Sequence, residues 1–400
     1  MSHILMTDIG QLVTCTGPAG ASNRSLGIVT DAAVEITGDR VSRVGQMSEP
    51  WVAEAQASGA EVVSVSGRAV IPGFVDSHTH LVFAGDRIHE FTTRMSGQAY
   101  KASGIATTVG ATRAASDDDL LALASNRRQV ARSQGSTTME VKTGYGLSVS
   151  HEARLARVAG EVGDVVTFLG AHLIPEEFSS DPEGYVDLVC GQMLDAVADH
   201  VSRVDVFLET GAFDAAQARK ILLAGKERGL VPVLHGSQLG PGEAAQVAVD
   251  VGAASLDHGT FLTDADIEIL AGSDTVVTLL PITELATKQP PPDARRLIDA
   301  GVTVAVASNM NPGSGHSSSM PLAIALAVTT MNMSPADALW SATAGGAKAL
   351  RLEDRGTIAP GSRADLVELD ATHFAHLAYQ PGMPLIRRVW QAGVSVSGVS

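Results

Sequence analysis

Eight near-continuous apolar stretches, each separated from the next by a helix-like segment, constrain this chain more than any other feature. Apolar runs without alternation are what parallel strands buried on both faces require, and the spacers supply the helices that cover them. The runs are AVIPGFVDSHTH ending at His80, STTMEVK ending at Lys142, DVVTFLGAHLI around His172 and RVDVFLETGAF around Glu209. LVPVLHGSQ around His235, AASLDHG around His258, DTVVTLLP ending at Pro281 and VTVAVASNMNPG ending near Asn311 complete the set. Helices are expected over 117–133 after Ser116, 181–200, 215–228, 243–251, and 335–350 after Ser334. Eight βα units make a (β/α)8 TIM-like barrel, because an open sheet gives no reason for the count to stop there.

Both chain ends read differently. Short β segments with Gly and turn punctuation (QLVT, AAVEIT, VSRVGQ, EVVSVSGRAV) lead up to about Gly67, and the same texture returns after Arg355 as GTIAPGSRADLVELDA and IRRVWQAGVSVSG. The 400 residues therefore divide into a barrel over 68–354 and one small β-sandwich domain shared by 1–67 and 355–400. The first connection, Leu81 to Ser136, is longer than a barrel loop requires, and long structured loops on barrels usually serve the active site.

Composition narrows the function. The 28 Lys and Arg against 44 Asp and Glu give a net charge of −16, which argues against nucleic acid or an anionic membrane as partner. Any anionic ligand must be held by a few local cations. With 45% hydrophobic and 18% charged residues the chain is globular, and its apolar runs fall short of the ~20 residues a bilayer span needs. Cys15 and Cys190 form neither a disulfide framework nor a thiolate zinc pattern, and Asp8 interrupts the apolar core a signal peptide would need. Both features point to the cytoplasm.

The chemical reserve is histidine. In a parallel barrel all C-terminal strand ends face one mouth, and His78, His80, His172, His235 and His258 fall at such ends. His78 and His80 are two residues apart on one strand, so they project to the same side and can meet one ion. A His-X-His pair alone reads equally well as two unrelated polar residues, and His172 or His258 singly reads as a core imidazole bonded to backbone. Five at one mouth are hard to assign to packing. His3, His151, His200, His373 and His376 take surface roles by default, and His89 and His316 in mouth loops stay open.

The strand order of His-X-His, then His, then His resembles the amidohydrolase superfamily. PGFVDSHTHLVFAGDR, TTMEVKTGYGL, FLGAHLIP, ETGAF, LHGSQLGPG, LLP and NPGS, within residues 60–365, resemble more narrowly the imidazolonepropionase family. EVKTGYGL and NPGS are the specific parts. The resemblance implies a histidine-degradation hydrolase that opens the cyclic amide of 4-imidazolone-5-propanoate to N-formimidoyl-L-glutamate. Hydroxide generated at one Zn2+ or Fe3+ per chain would attack, in a homodimer. It implies His78, His80 and His235 as metal ligands, with the fourth ligand from the eighth strand at position 309. His258 would polarise the carbonyl or stabilise the oxyanion. Gln238, where the family carries Glu or Gln, would orient the ring. Arg87, with Tyr145 and His172, would hold the anionic propionate, and Asn311, Gly313 and Ser314 would grip the ring or the product carboxylate.

One departure bears on mechanism. The family carries Asp before X-Asn-Pro-Gly, and this chain reads Ser308-Asn309-Met310-Asn311-Pro312-Gly313; Ser237 also replaces a more usual Asp or Asn. An amide can lend its oxygen to a metal but cannot act as a base near pH 7. Three explanations stay open: an engineered Asp→Asn change, a natural paralogue of weakened or altered activity, or an enzyme in which another group takes the proton. Rival readings remain. A dihydroorotase- or hydantoinase-like binuclear enzyme wants a carbamylated lysine ending the fourth strand, which has none. A purine or triazine aminohydrolase gives no account of EVKTGYGL. A metal-free barrel binding a small acid would be consistent with Asn309, and metal content separates the three.

Overall fold

The computed structural model describes residues 2–17, 26–97 and 104–396. The chain opens with β1 (His3–Val13), β2 (Ile28–Thr37), β3 (Arg40–Gln46), β4 (Glu61–Ser64) and β5 (Ala69–Pro72). The next eight strands are β6 (Phe74–Asp76), β7 (Ser136–Lys142), β8 (Val165–Ala171), β9 (Arg203–Leu208), β10 (Val231–Gly236), β11 (Ser255–His258), β12 (Val276–Leu279) and β13 (Val304–Val306). The last three are β14 (Leu366–Leu369), β15 (Ile386–Gln391) and β16 (Val394–Val396).

Strands β6 to β13 pair in sequence order and every pair is parallel. All their residues but Val231 are buried, which is why the sequence shows runs rather than alternation. The seam between β13 and β6 is drawn together just past the strand ends. There the Asn309 N–H donates to His78 O and the His80 N–H to Met310 O, both at 3.1 Å. The Ser308 N–H and Oγ also donate to the Asp76 carboxylate at 2.9 and 2.6 Å. The result is the expected (β/α)8 barrel.

The helix over Asp117–Ser133 begins where its signals place it: Ser116 accepts from the Asp119 N–H and three aspartates fill the first turn. The helices read as continuous over 181–200 and 335–350 instead each contain a wider π turn, at Val189–Met193 and Ser341–Gly345. The second lies directly on strand backbone. A Cβ at Gly346 would stand 2.2 Å from Val75 O, so only glycine lets this helix approach β6 so closely.

The first apolar run also divides. Ala69–Pro72 joins the other sheet, and after Gly73 only Phe74–Asp76 enters the barrel. That other sheet runs β16-β15-β14-β5-β1-β2-β3, with β4 also on β1. β1 turns at Asp8 (φ 55), so Ile4–Thr7 pairs with β4 whereas Gln11 and Leu12 pair with β5. Met6, Ile9, Leu12, Val34, Val70, Leu366 and Trp390 form one buried cluster, which joins both chain ends in a single unit. Among the described residues no helix is long and apolar enough to cross a membrane.

Candidate metal centre

The five histidines named from the sequence meet at the barrel mouth. Ring centroids of His78 and His235 lie 4.4 Å apart, His235 and His258 5.4 Å, His80 and His235 5.5 Å, and His80 and His172 5.5 Å. His78 Nε2 and His80 Nε2 face each other at 3.3 Å. Their chain segment extends β6, with His78 and His80 bonded toward the β13 side and Thr79 toward β7, so both imidazoles point the same way. His258 (φ 79) and Asn309 (φ 66) hold left-handed backbone, a strained state for non-glycine residues that turns their side chains at the strand ends.

Beneath the imidazoles lies a layer of buried charge. Asp257 Oδ2 is 2.6 Å from His78 Nδ1, and Asp205 Oδ2 is 2.9 Å from His235 Nδ1. The Asp257 carboxylate favours the proton on His78 Nδ1 and so leaves Nε2 as the lone-pair nitrogen, the carboxylate–histidine arrangement that supports metal ligands, whereas Asp205 stands within ion-pair distance of His235 Nδ1 without hydrogen-bond geometry. Lys142 Nζ sits below both. His235 and Lys142 hold the Asp205 carboxyl below its ordinary range although burial acts the other way. Burial pushes His78, His80 and His258 well below the usual imidazole value and His172 down to about 3. These rings are neutral at pH 7, the state that binds metal.

The donor set fits a metal ion. His78, His235 and His258 present ring nitrogens within 4.8 Å of one another, and His235 Nε2 and Asn309 Oδ1 are buried with no protein partner. Leaving such atoms unmet costs about 1–3 kcal/mol each, which an ion would relieve. Asn309 Nδ2 donates to Thr283 Oγ1 at 2.7 Å and Ser314 Oγ at 3.0 Å, which leaves the amide oxygen as the unengaged end. His258, expected to act on the substrate, stands in the same cluster as His78 and His235.

The other named residues surround this cluster. Tyr145 packs 5.2 Å from His172 and 6.0 Å from His80, and His172 Nδ1 lies 3.0 Å from Gly144 O. Gln238 is buried, and its backbone N–H donates to the Glu209 carboxylate. Asn311 Oδ1 accepts from the N–H groups of Gly313 and Ser314 at 2.8 and 3.2 Å, so it shapes its own turn. Arg87 is buried against Gly313 and grips Glu90 twice, Nε to Oε2 at 2.8 Å and Nη2 to Oε1 at 2.7 Å. A cleft of about 610 Å³ opens between Arg87, Phe91, Ile282, Gly313 and His316.

Glu284, on the helix after β12, is a second kind of buried acid. Thr260 donates to Oε1 at 2.8 Å, Oε2 has no partner, and burial pushes the carboxyl up to about 7. Its pKa in the folded state lies above the unfolded value, so its contribution is whole below about pH 4.5 and is lost as pH rises through 7. Glu284→Gln, which cannot ionise, is expected to gain about 2–3 kcal/mol over the parent between pH 5 and pH 8. Urea unfolding at the two pH values measures it, and a pH-independent difference would show that Glu284 does not titrate there.

Sequence reading singled out the histidines and missed the charged layer beneath them, Asp205, Asp257, Glu140 and the charge role of Lys142, as well as Glu90, which holds Arg87. A signal was present. Asp205 in VDVFL and Asp257 in ASLDH are acids inside fully apolar runs, and acids buried in a strand are almost always paired.

Comparison with known proteins identifies the family. The model of the Amidohydrolase family matches residues 193–399. The imidazolonepropionase of Streptomyces griseus is 53% identical over 396 residues, covering 99% of this chain and 100% of that protein. The imidazolonepropionase of Saccharopolyspora erythraea is 50% identical over 402 residues, with 100% of both chains covered. A zinc-bound adenosine deaminase from Xanthomonas campestris superimposes with a TM-score of 0.73 over 98% of this chain and 92% of its own, at 19% identity, a likeness of fold alone. Matched from end to end at half its residues, the chain belongs to the imidazolonepropionase family of the amidohydrolases.

Proposed function

We propose that this protein hydrolyses 4-imidazolone-5-propanoate to N-formimidoyl-L-glutamate, as a cytoplasmic homodimer with one zinc or iron ion per chain. The observation that carries the reading is the pair of carboxylate-backed imidazoles, His78 and His235, with His80 beside them and the unpartnered Asn309 oxygen at the seam. When bound, the ion supplies Lewis-acid chemistry for attack of water on the amide carbonyl. By the family resemblance His78, His80, His235 and Asn309 would hold it, although the ring nitrogens that lie within 4.8 Å of one another are those of His78, His235 and His258.

The remaining steps belong to the side chains. Arg87 binds the propionate, with Tyr145 and His172 closing that side, and Gln238 orients the ring. Asn311 sets the turn that carries Gly313 and Ser314. Neither Asn309 nor Gln238 can accept the proton that water must release. His258, neutral and with an unpartnered Nδ1, is one acceptor at the mouth, and burial makes it a weak base. The same observation supports a second reading, a catalytically weak paralogue that binds a small acid.

Metal-loaded protein incubated with fresh substrate is expected to consume its ultraviolet absorbance. Inert protein with metal bound, both as it stands and as Asn309→Asp, would overturn the substrate. Arg87→Met removes one charge-assisted contact of about 1.5–3 kcal/mol, so KM is expected to rise roughly 10- to 100-fold with kcat little changed. A fall in kcat at unchanged KM would place Arg87 outside the propionate site.

A further inference from the structure

Three carboxylates and one ammonium lie fully buried under the histidines. Lys142 Nζ stands 2.8 Å from Glu140 Oε1, 2.8 Å from Asp205 Oδ2 and 3.5 Å from Asp257 Oδ2. The two aspartate oxygens are the same atoms that face His235 Nδ1 and His78 Nδ1. Asp205, His235 and Asp257 alone bring their ligand atoms within 4.8 Å, close enough for a cation, and Asp257 Oδ1 is buried without a partner. These three residues form a second group that could hold a cation, sharing His235 with the first.

We propose that the Lys142 ammonium is the built-in second cation of this centre: it stands where a second metal ion would sit, and so makes the site mononuclear. Three buried carboxylates need positive charge within contact distance, since an uncompensated buried charge is expensive. Lys142 supplies it permanently: burial works against its charge, but the carboxylates outweigh burial and hold the ammonium protonated above its ordinary range. A lysine also does what a loosely held ion cannot. Its length and its place at the end of β7 fix the distance to both aspartates, so His78 keeps one tautomer whether or not the upper site is filled. Lys142 is therefore a positioning residue, two contacts removed from any ligand at the mouth.

The inference rests on the reading that His78, His80 and His235 hold a metal, and metal counting separates the two. After loading with excess Zn2+ and dialysis, the unaltered protein is expected to retain one ion per chain and Lys142→Ala two, with Lys142→Arg back at one. Loaded with Mn2+, the unaltered protein should give the electron paramagnetic spectrum of an isolated ion, and Lys142→Ala that of a spin-coupled pair. A folded Lys142→Ala protein that still holds one ion overturns the proposal. So does a spin-coupled pair in the unaltered protein, a measurement that decides the matter even if Lys142→Ala does not fold. No ion in the unaltered protein sinks the functional reading itself.

Discussion

Asn309→Asp is expected to raise hydrolysis of 4-imidazolone-5-propanoate at least ten-fold at equal metal content. Position 309 lies at the barrel seam, its N–H held by His78 O, and its buried amide oxygen has no protein partner. A carboxylate would take the proton that the amide cannot, and a general base is typically worth ~10² to 10⁴ in rate. The exchange is structurally mild. Thr283 Oγ1 and Ser314 Oγ now accept from Asn309 Nδ2, and both hydroxyls can rotate to donate to a carboxylate oxygen instead. Initial rates of the two proteins, each normalised to bound metal, measure the effect. Equal rates would show that position 309 does not limit turnover and would leave His258 as a sufficient base.

The second large effect is expected at His235. His235→Ala removes the one imidazole close to His78, His80 and His258 alike, and leaves Asp205 held by Lys142 and by the backbone N–H of residue 235. Metal retention should fall well below one ion per chain and hydrolysis by about 10³ or more, the equivalent of roughly 4 kcal/mol of transition-state stabilisation. Metal content and rate are to be measured on the same sample. Full metal retention with full activity would remove His235 from the ligand set. Because Asp205 keeps its bond to Lys142, the barrel should stay folded, and circular dichroism separates loss of metal from loss of structure.

The barrel was legible because its strands bury both faces, which writes each as an apolar run, and because functional groups at strand ends follow those runs directly. His78, His80, His172, His235 and His258 could be placed together on that ground alone. What periodicity could not tell was which sheet a run joins: AVIP and FVD read as one strand, and Gly73 sends them to different sheets. Nor could it show the left-handed backbone at His258 and Asn309, which depends on the surrounding seam. The Asp205–His235 and Asp257–His78 pairs join residues far apart in sequence, so spacing carries no trace of them. Arg87 and Glu90 are different. An i,i+3 pair of opposite charge is local, and the grip that Glu90 exerts on the expected anion-binding arginine could have been anticipated.

The sheet built from both chain ends has a consequence for synthesis. β5 is flanked by β1 on one side and β14 on the other, and β14 begins only at Leu366. A chain emerging from the ribosome presents its first five strands early, yet one edge of β5 must wait until the whole barrel has been made. An open strand edge invites pairing with other chains. That edge stays open from the synthesis of β5 until β14 has been made, and whatever speeds barrel closure shortens the exposure. The long-range pairing that ties the ends together makes the final docking slow, so assembly of this unit ends with its last strands rather than its first.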